Sequence, residues 1–573
     1  MPIHNNEIAD DFDRLADLLE IEGANQFRVR AYRDAARTVR NDTRNMADRI
    51  EDGEDLSEIA GIGEDLAEKI KTIVETGELP LLEEVRLRVP DALSDLMRIE
   101  GLGPKRVKAL YHNLDIETID DLKDAAENEK IQELEGFGRK TEHIIKERVE
   151  RFAGAEKRTT LLVAEDIAES LVEYLKQSKG LKDIVIAGSY RRCKETVGDL
   201  DILVTAKKDS SVMKRFVDYD EVIEVILHGK TRSTVRLRSG MHVDLRVVPE
   251  VSYGSALHYF TGSKAHNIGV RKLGMKKGYK INEYGVFKND KRIAGKTEKE
   301  VYEKVGLCYV PPELREGRGE IEAAKNNALP DLVTLNDIRG DLHCHTTATD
   351  GHNSLKKMTE AARERGYEYI AFTDHSKHVT VARGLDKKRL LKQIDAIDRL
   401  NDKLDDIVVL KSIELDILED GSLDLPDSVL KKLDFTVCSV HYKFHLSSKK
   451  QTERILRAMD NPCFTIFGHP TGRQINEREP YQVDIEKIIK GAVERGCFLE
   501  VNANASRLDL NDDACKLAKD NGLKVAISTD AHSVSDLDFM RFGLNQARRG
   551  WMEAKDVINT LPLKKLRKLF QRG

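Results

Sequence analysis

One stretch constrains this chain more than any other: Gly188-Ser189-Tyr190-Arg191-Arg192-Cys193-Lys194-Glu195-Thr196-Val197-Gly198-Asp199-Leu200-Asp201-Ile202-Leu203-Val204. A turn of small residues, Gly188-Ser189, follows the apolar run 184–187, and two aspartates spaced i, i+2 enter a second apolar run, 200–204. Residues two apart on a strand face the same way, so Asp199 and Asp201 present paired carboxylates. Such a pair repels itself unless a hard cation sits between, and Mg2+ prefers oxygen ligands. A third acid, Asp244, lies in Met241-His242-Val243-Asp244-Leu245-Arg246-Val247-Val248, which reads as a strand by its alternation. Three carboxylates on two adjacent strands can hold two metal ions for in-line phosphoryl transfer. The alternative is a surface Asp-x-Asp on an edge strand. The Gly-Ser turn, Gly198 and the later Asp244 weigh against it.

The combination resembles the nucleotidyltransferase signature of family X DNA polymerases, the family of DNA polymerase beta. The resemblance implies an α/β palm in which Asp199, Asp201 and Asp244 are catalytic and hold Mg2+ or Mn2+. One ion would activate the primer 3′-hydroxyl and the other neutralise the triphosphate. It assigns the triphosphate to the turn Gly188-Ser189 and to Arg192. The stretch Tyr259-Phe260-Thr261-Gly262-Ser263-Lys264-Ala265-His266-Asn267 is similar to the family's nucleotide-selecting turn. It implies that Tyr259, Phe260 and Gly262 lie under the sugar, Asn267 lies on the base's minor-groove edge, and deoxynucleotides are the substrate. His242 departs from the pattern, since the beta-type members carry an arginine there. Similarity continues through Lys276-Lys277-Gly278-Tyr279-Lys280 and ends near Val310-Pro311-Pro312-Glu313-Leu314-Arg315-Glu316.

Upstream of this motif the chain reads as helical, and one pattern recurs three times: Gly61-Ile62-Gly63, Gly101-Leu102-Gly103 and Gly136-Phe137-Gly138, each before an amphipathic segment. The glycines permit a tight turn and bring backbone N–H groups to an anion at a helix N-terminus. The repeat resembles the helix-hairpin-helix motif, which implies that these six glycines grip DNA backbone phosphates without reading sequence. The alternative is that they merely punctuate packed helices. Charge is distributed unevenly. Residues 1–150 hold 22 Lys and Arg against 37 Asp and Glu, a net −15, whereas residues 176–300 hold 26 against 15, a net +11. Backbone donors explain how so acidic a segment holds DNA, and the basic stretch surrounds the carboxylates where a polyanion is needed. The N-terminal segment is also similar to the small lyase domain of the family. That likeness implies a Schiff-base role for Lys69 with a 5′-deoxyribose phosphate. A nucleophilic lysine must be neutral, and Glu64, Asp65 and Glu68 favour the charged form instead, so a helix-surface lysine is the alternative reading.

A different composition begins past residue 336. Nine of the sixteen histidines lie after residue 340, and short apolar strands alternate with amphipathic helices, the pattern of a parallel barrel. Seven strands are expected, at 340–345, 369–375, 408–418, 435–441, 464–469, 497–504 and 524–532. Six carry a His, Asp or Glu at or near the C-terminal end, where barrel enzymes place their chemistry. The set His343, His345, Asp350, His375, Glu414, His441, His469, Asp530 and His532 resembles the ligands of polymerase-and-histidinol-phosphatase (PHP) domains. It implies up to three Mn2+ or Zn2+ ions, which mixed imidazole and carboxylate donors suit, and phosphoester hydrolysis. Cys344 points away from its histidine neighbours and reads as core. His352, His378 and His445 lie near the same mouth but do not read as ligands, while Asn502 and Arg507 are weaker candidates for touching a phosphate.

At 573 residues the chain is too long for one core. The expected architecture is multidomain: an all-α helix-hairpin-helix region (1–85 and 86–150), an α/β palm (151–250) with thumb (251–315), a linker (316–336) and a (β/α)7-like PHP barrel (337–573). Seven scattered cysteines without C-x-x-C spacing, and no apolar signal or membrane-length stretch, predict a reduced, cytoplasmic, membrane-free monomer. Together the resemblances, of bacterial or archaeal type, imply a polymerase that fills short gaps in base excision repair on gapped or primed DNA with deoxynucleoside triphosphates. They add a 3′→5′ exonuclease and leave AP endonuclease and 3′-phosphatase activities open. The competing expectations are a PHP phosphatase with an inactive nucleotidyltransferase module and a non-catalytic DNA-end scaffold. Complete ligand sets in both centres weigh against each.

Overall fold

The computed structural model describes residues 3–571 apart from 60, 98, 100, 101, 135 and 155–157. It divides into two compact units, residues 1–159 with 165–170, and residues 160–164 with 171–573.

The first unit is helical. Helix α1 (Asn5–Glu22) buries Ile8, Phe12, Leu15 and Leu19, a 3.6-period stripe, and α2 (Gln26–Asn41) buries Val29, Tyr32, Ala36 and Val39. Phe12 and Tyr32 meet at 5.8 Å between ring centres. Gly23, at φ 99°, ends α1 by returning its N–H to the Leu19 and Glu20 carbonyls, a turn that favours glycine. Further helices relevant to the site are α3 (Glu64–Thr76), α4 (Pro104–Leu114) and α5 (Arg139–Gly154). One hydrophobic cluster runs from Ile3 to Val149, so the expected division between residues 85 and 86 is not a break in packing.

The second unit begins with the palm sheet. Its strands are β1 (Leu181–Ile186), β2 (Asp199–Ala206), β3 (Val222–His228), β4 (Arg232–Leu237) and β5 (His242–Val247), ordered β1-β2-β5-β4-β3. Strands β2 and β5 are parallel neighbours, in a register that sets Asp201 beside Asp244. Alternate residues of β2 and β5, including Leu200, Ile202, Val243 and Leu245, are buried, which fixes the face the acids take. Two helices follow, α6 (Tyr253–Thr261) and α7 (Lys264–Lys276), then a three-stranded meander over residues 280–294. A core of Val270, Ile281, Val286, Val301, Tyr302, Val310 and Leu314 joins α7 to the meander, while Ala256 and Leu257 of α6 pack on Ala187 and Leu203.

Residues 316–336, expected as a linker, are instead packed. Ala324 and Leu332 join the core just described, Glu320 is buried against His266 at 2.7 Å, and the Val333 N–H bonds the Met552 carbonyl at 3.0 Å. Their polar composition reads as linker because the acids are satisfied by tertiary partners that lie far away in sequence.

The barrel strands are β6 (Gly340–Cys344), β7 (Tyr369–Phe372), β8 (Val408–Lys411), β9 (Glu414–Asp416), β10 (Val437–Ser439), β11 (Ile466–Phe467), β12 (Phe498–Asn502) and β13 (Val525–Ser528). The strand expected over 408–418 is two strands, not one. Between them the Ser412 hydroxyl bonds the Phe435 carbonyl, and the Glu414 N–H turns to the Thr373 and Asp374 carbonyls. The parallel sheets β6-β7-β8 and β9 to β13 are joined by bridges His375–Glu414 and Cys344–Ala531, closing the ring. Leu342, Tyr369, Val437, Ile466 and Ala526 fill its core, and Phe570 of the C-terminal helix stacks on Phe435 at 4.7 Å. Among the described residues no helix is long and apolar enough to cross a membrane, and the seven cysteines form no disulfide.

Candidate functional site

The palm acids share one face of two adjacent strands, as their spacing requires. Asp199 is exposed, while Asp201 and Asp244 are half-buried. Burial, then the neighbouring charges of Asp199 and Asp244, push the Asp201 carboxyl up to about 7. Asp244 is held from the neighbouring strand by the Thr234 hydroxyl and by Arg232 at 3.1 Å, with Arg246 at 3.3 Å. Sequence reading did not single out Arg232 or Thr234. The cross-strand pairing of Thr234 with Asp244 is the signal, and it exists only in the sheet. Gly188, at φ 63°, closes over the site so tightly that a Cβ there would meet Asp201 Oδ2 at 2.8 Å. The Ser189 hydroxyl beside it is buried without a hydrogen-bond partner.

The adjacent arginines of the motif divide their work. Arg191 forks onto Glu298 at 2.8 and 2.9 Å and bonds the Thr261 hydroxyl at 2.7 Å. Burial would raise the Glu298 carboxyl, but Arg191 and buried Arg315 outweigh it and hold it at about 2. Arg192 donates to the Thr261 carbonyl and reaches Glu316 at 2.9 Å. Gly262 leaves it room, since a Cβ there would lie 3.1 Å from its guanidinium. Tyr259 and Phe260 end α6 in an edge-to-face pair, and Arg246 lies over the Phe260 ring. Asn267 on α7 donates to the Tyr259 carbonyl at 2.7 Å. The structure therefore brings together all seven residues expected to meet the nucleotide, on one turn and the ends of two helices.

The nine barrel residues converge from strand ends scattered over nearly two hundred positions. His345, Asp350, His375 and His532 form one group of ligand atoms within 4.8 Å of one another, His343, His345 and Asp530 a second, and His375, Glu414 and His441 a third. His469 joins through Glu414 at 2.9 Å. Among the described residues such tight groups occur only here. Burial alone would raise Glu414, yet the imidazoles of His441, His375 and His343 hold it well below the usual carboxylate range. Conversely, carboxylates overcome burial to push His441 up to about 10 and His375 and His532 to about 9. The cluster thus draws positive charge to itself. His343 Nε2, both ring nitrogens of His345 and Asp350 Oδ1 are buried with no hydrogen-bond partner. Orphaned lone pairs on mixed imidazole and carboxylate donors fit transition-type divalent cations.

Behind these residues stand two carboxylates that sequence reading missed. Glu500 accepts from His343 Nδ1 at 2.7 Å and from the His469 N–H at 2.7 Å, and Asp416 faces His441 Nδ1 at 3.1 Å. Each fixes its imidazole so that Nε2 faces the cluster. Asp416 sits two residues past Glu414 and Glu500 two before Asn502, so strand periodicity was the available signal. Asn502 is buried and donates to Asp530, whereas Arg507 lies 3.7 Å from Asp530. Cys344 is buried and bonds Thr529, as a core residue would. His352, His378 and His445 belong to none of the three groups.

In the helical unit, Ile62, Leu102 and Phe137 are buried and anchor the three turns. Gly63 and Gly103 cap α3 and α4, Gly138 precedes α5, and a Cβ on any of the three would meet nothing within 4 Å. Gly61 and Gly136 stand at φ 84° and 86°, while Gly101 lies outside the described residues. Lys69 on α3 is ion-paired with Asp65 at 2.5 Å, which favours the helix-surface reading over a free amine.

Comparison with known proteins follows the same divisions. The chain matches a helix-hairpin-helix domain family over residues 3–79 and a SAM-like helix-hairpin-helix tandem over 93–151. It matches the DNA polymerase beta palm over 162–238, the DNA polymerase beta thumb over 256–316 and the PHP domain over 341–504. It is 36% identical over 575 residues, the whole of both chains, to the Bacillus subtilis protein named DNA polymerase/3′-5′ exonuclease PolX. Over 233 residues, 38% of this chain, it is 33% identical to 89% of a protein of Thermoanaerobacter sp. named as a probable phosphatase. Fold and sites together define a two-module enzyme, a nucleotidyltransferase palm with thumb joined to a PHP phosphoesterase barrel. The end-to-end relative fixes the family more closely: the chain belongs to the family X DNA polymerases that carry a C-terminal PHP domain.

Proposed function

We propose that this chain extends primers across short gaps in DNA repair with its palm and trims 3′ ends with its barrel. The observation that carries the reading is the presence in one chain of two complete acidic centres, a strand-borne carboxylate trio beside an anion-ready turn and a nine-residue imidazole–carboxylate cluster. Divalent cations, Mg2+ or Mn2+ on Asp199, Asp201 and Asp244 and up to three Mn2+ or Zn2+ on the nine barrel residues, would supply Lewis acidity to the phosphate and acidify the attacking hydroxyl or water.

The chain's own residues do the rest. Gly188, the orphaned Ser189 hydroxyl and Arg192 offer donors to the triphosphate. Tyr259, Phe260 and Gly262 wall the sugar, Asn267 borders the base, and the close turn excludes a ribose hydroxyl. Gly61, Gly63, Gly103, Gly136 and Gly138 bring backbone N–H groups to duplex phosphates without reading sequence, which suits a repair enzyme acting anywhere in a genome. In the barrel, Glu500 and Asp416 orient His343 and His441, and Arg507, beside Asp530, would offer its guanidinium to a phosphate. Base excision repair in the cytoplasm, by a monomer, is the setting this pairing of activities fits. AP endonuclease and 3′-phosphatase activities would use the same phosphoester chemistry.

A labelled primer on gapped DNA with deoxynucleoside triphosphates and Mn2+ tests the reading. Extension is expected to vanish in Asp199→Ala/Asp201→Ala while shortening persists, and His343→Ala is expected to do the reverse. Shortening that survived His343→Ala would rule out the barrel as the nuclease.

A further inference from the structure

The guanidinium of Arg192 already holds an anion. Glu316 Oε1 accepts from Arg192 Nε at 2.9 Å, and both side chains are 12% exposed. The same oxygen accepts from Arg549 Nη1 at 3.0 Å, and Arg549 is 1% exposed. Burial would raise the Glu316 carboxyl, but Arg192 and Arg549 outweigh it, so the group is an anion at neutral pH. The backbone fixes its position. The preceding carbonyl, of Arg315, accepts from the Ser263 N–H in the nucleotide turn at 2.9 Å, and Arg315 itself is buried against Glu298. Glu316 therefore cannot drift away as a surface side chain would.

Arg549 ends a helix, α8 (Met540–Arg549), that belongs to the barrel. Besides Glu316 it bonds the Arg192 carbonyl at 2.6 Å and Asp512 at 2.6 Å. A second barrel arginine, Arg473, four residues past His469, forks onto Glu195 of the palm motif at 2.6 and 3.1 Å. Barrel side chains thus hold both ends of the loop 192–195.

We propose that Glu316 is a resident competitor for the nucleotide's phosphates, occupying Arg192 until a triphosphate displaces it and then remaining charge-balanced by Arg549 of the barrel. The inference rests on the proposed role of Arg192 in triphosphate binding. Glu316 acts through Arg192 and is a positioning residue. The competition raises the KM for every nucleotide, and the barrel sets how strongly. Arg549 shares the carboxylate, so it weakens Glu316's grip on Arg192 and stabilises the displaced state.

The two variants should move KM in opposite directions, which a structural brace would not produce. In full-length protein on gapped DNA, Glu316→Gln keeps the shape, removes the charge and leaves Arg549 its bonds to Asp512 and the Arg192 carbonyl. KM for the incoming nucleotide should fall about tenfold, with a smaller change in kcat. Arg549→Gln should raise KM, since it removes the second cation and leaves Glu316 wholly to Arg192. Melting temperatures of both variants accompany the kinetics. A KM that is unchanged or raised in Glu316→Gln overturns the inference, as does a rise in both variants with a matching loss of stability. Arg192→Gln separates the two levels. If it raises KM and Glu316→Gln does not lower it, the inference alone fails. If it leaves KM unchanged, the triphosphate role of Arg192 fails and the inference with it.

Discussion

In the barrel, Glu414 lies buried among the five imidazoles of His343, His345, His375, His441 and His469, and ligand atoms from eight residues already sit in groups less than 5 Å across. In the palm, Asp199 is exposed, and Asp244 is occupied by Arg232, Thr234 and Arg246. Both centres gather acids for cations, yet they do so in opposite ways. The barrel builds a closed cage whose donors are aimed before any substrate arrives. The palm offers an open ledge, with Asp199 exposed at its rim. A hydrolytic centre that takes only water and a strand end is served by a fixed cage. A transferase that must admit a new nucleotide at every step needs an open face.

The largest effect that would break this contrast is expected at Glu414. Glu414→Gln keeps the volume but removes the charge that the surrounding histidines share. Strand shortening should fall by at least about a thousandfold and bound Mn2+ should drop by elemental analysis, with primer extension intact. Retention of the metal would mean the cage does not depend on its central carboxylate. A smaller loss is expected one layer out. Glu500→Gln should weaken metal affinity about ten- to hundredfold by freeing the His343 ring, measured by competition with a chelating dye. No change in affinity would make Glu500 a packing residue.

The smallest effect sharpens the palm side. Asp201 titrates at about 7 in the folded chain against an ordinary 3.8, so the folded state holds a proton that the unfolded chain releases. Its ionisation therefore weighs against folding increasingly as pH rises from about 4, and fully above about 7. Metal-free Asp201→Asn protein should melt higher than the unsubstituted chain at about pH 8, and the gap should narrow as pH falls toward about 4. A gap independent of pH would show that the ledge does not crowd its acids.

The two centres also differ in how far the sequence alone reveals them. Asp199 and Asp201 follow from a two-residue period, a local rule, and the sheet brings Asp244 beside Asp201 by pairing β2 with β5. The barrel strands were legible from their apolar runs, except at 408–418. There the chain breaks to bring Glu414 across to His375, a bend that no local pattern announces. Residues 316–336 were misread for the same reason. Glu316 and Glu320 look like linker polarity until Arg192 and Arg549 are seen to pair with the first and the His266 ring to hydrogen-bond the second.

What the sequence by itself determined is the set of chemical groups: which acids pair on a strand, which histidines sit at strand ends, which glycines open a helix. Those follow from covalent spacing, because side-chain direction repeats every two or 3.6 residues. What only the tertiary structure decided is which charges meet. Glu500 stands behind His343, Arg232 beside Asp244 and Glu316 between two arginines, because an ion's partner is set by distance in space, and burial removes the water that would otherwise neutralise it.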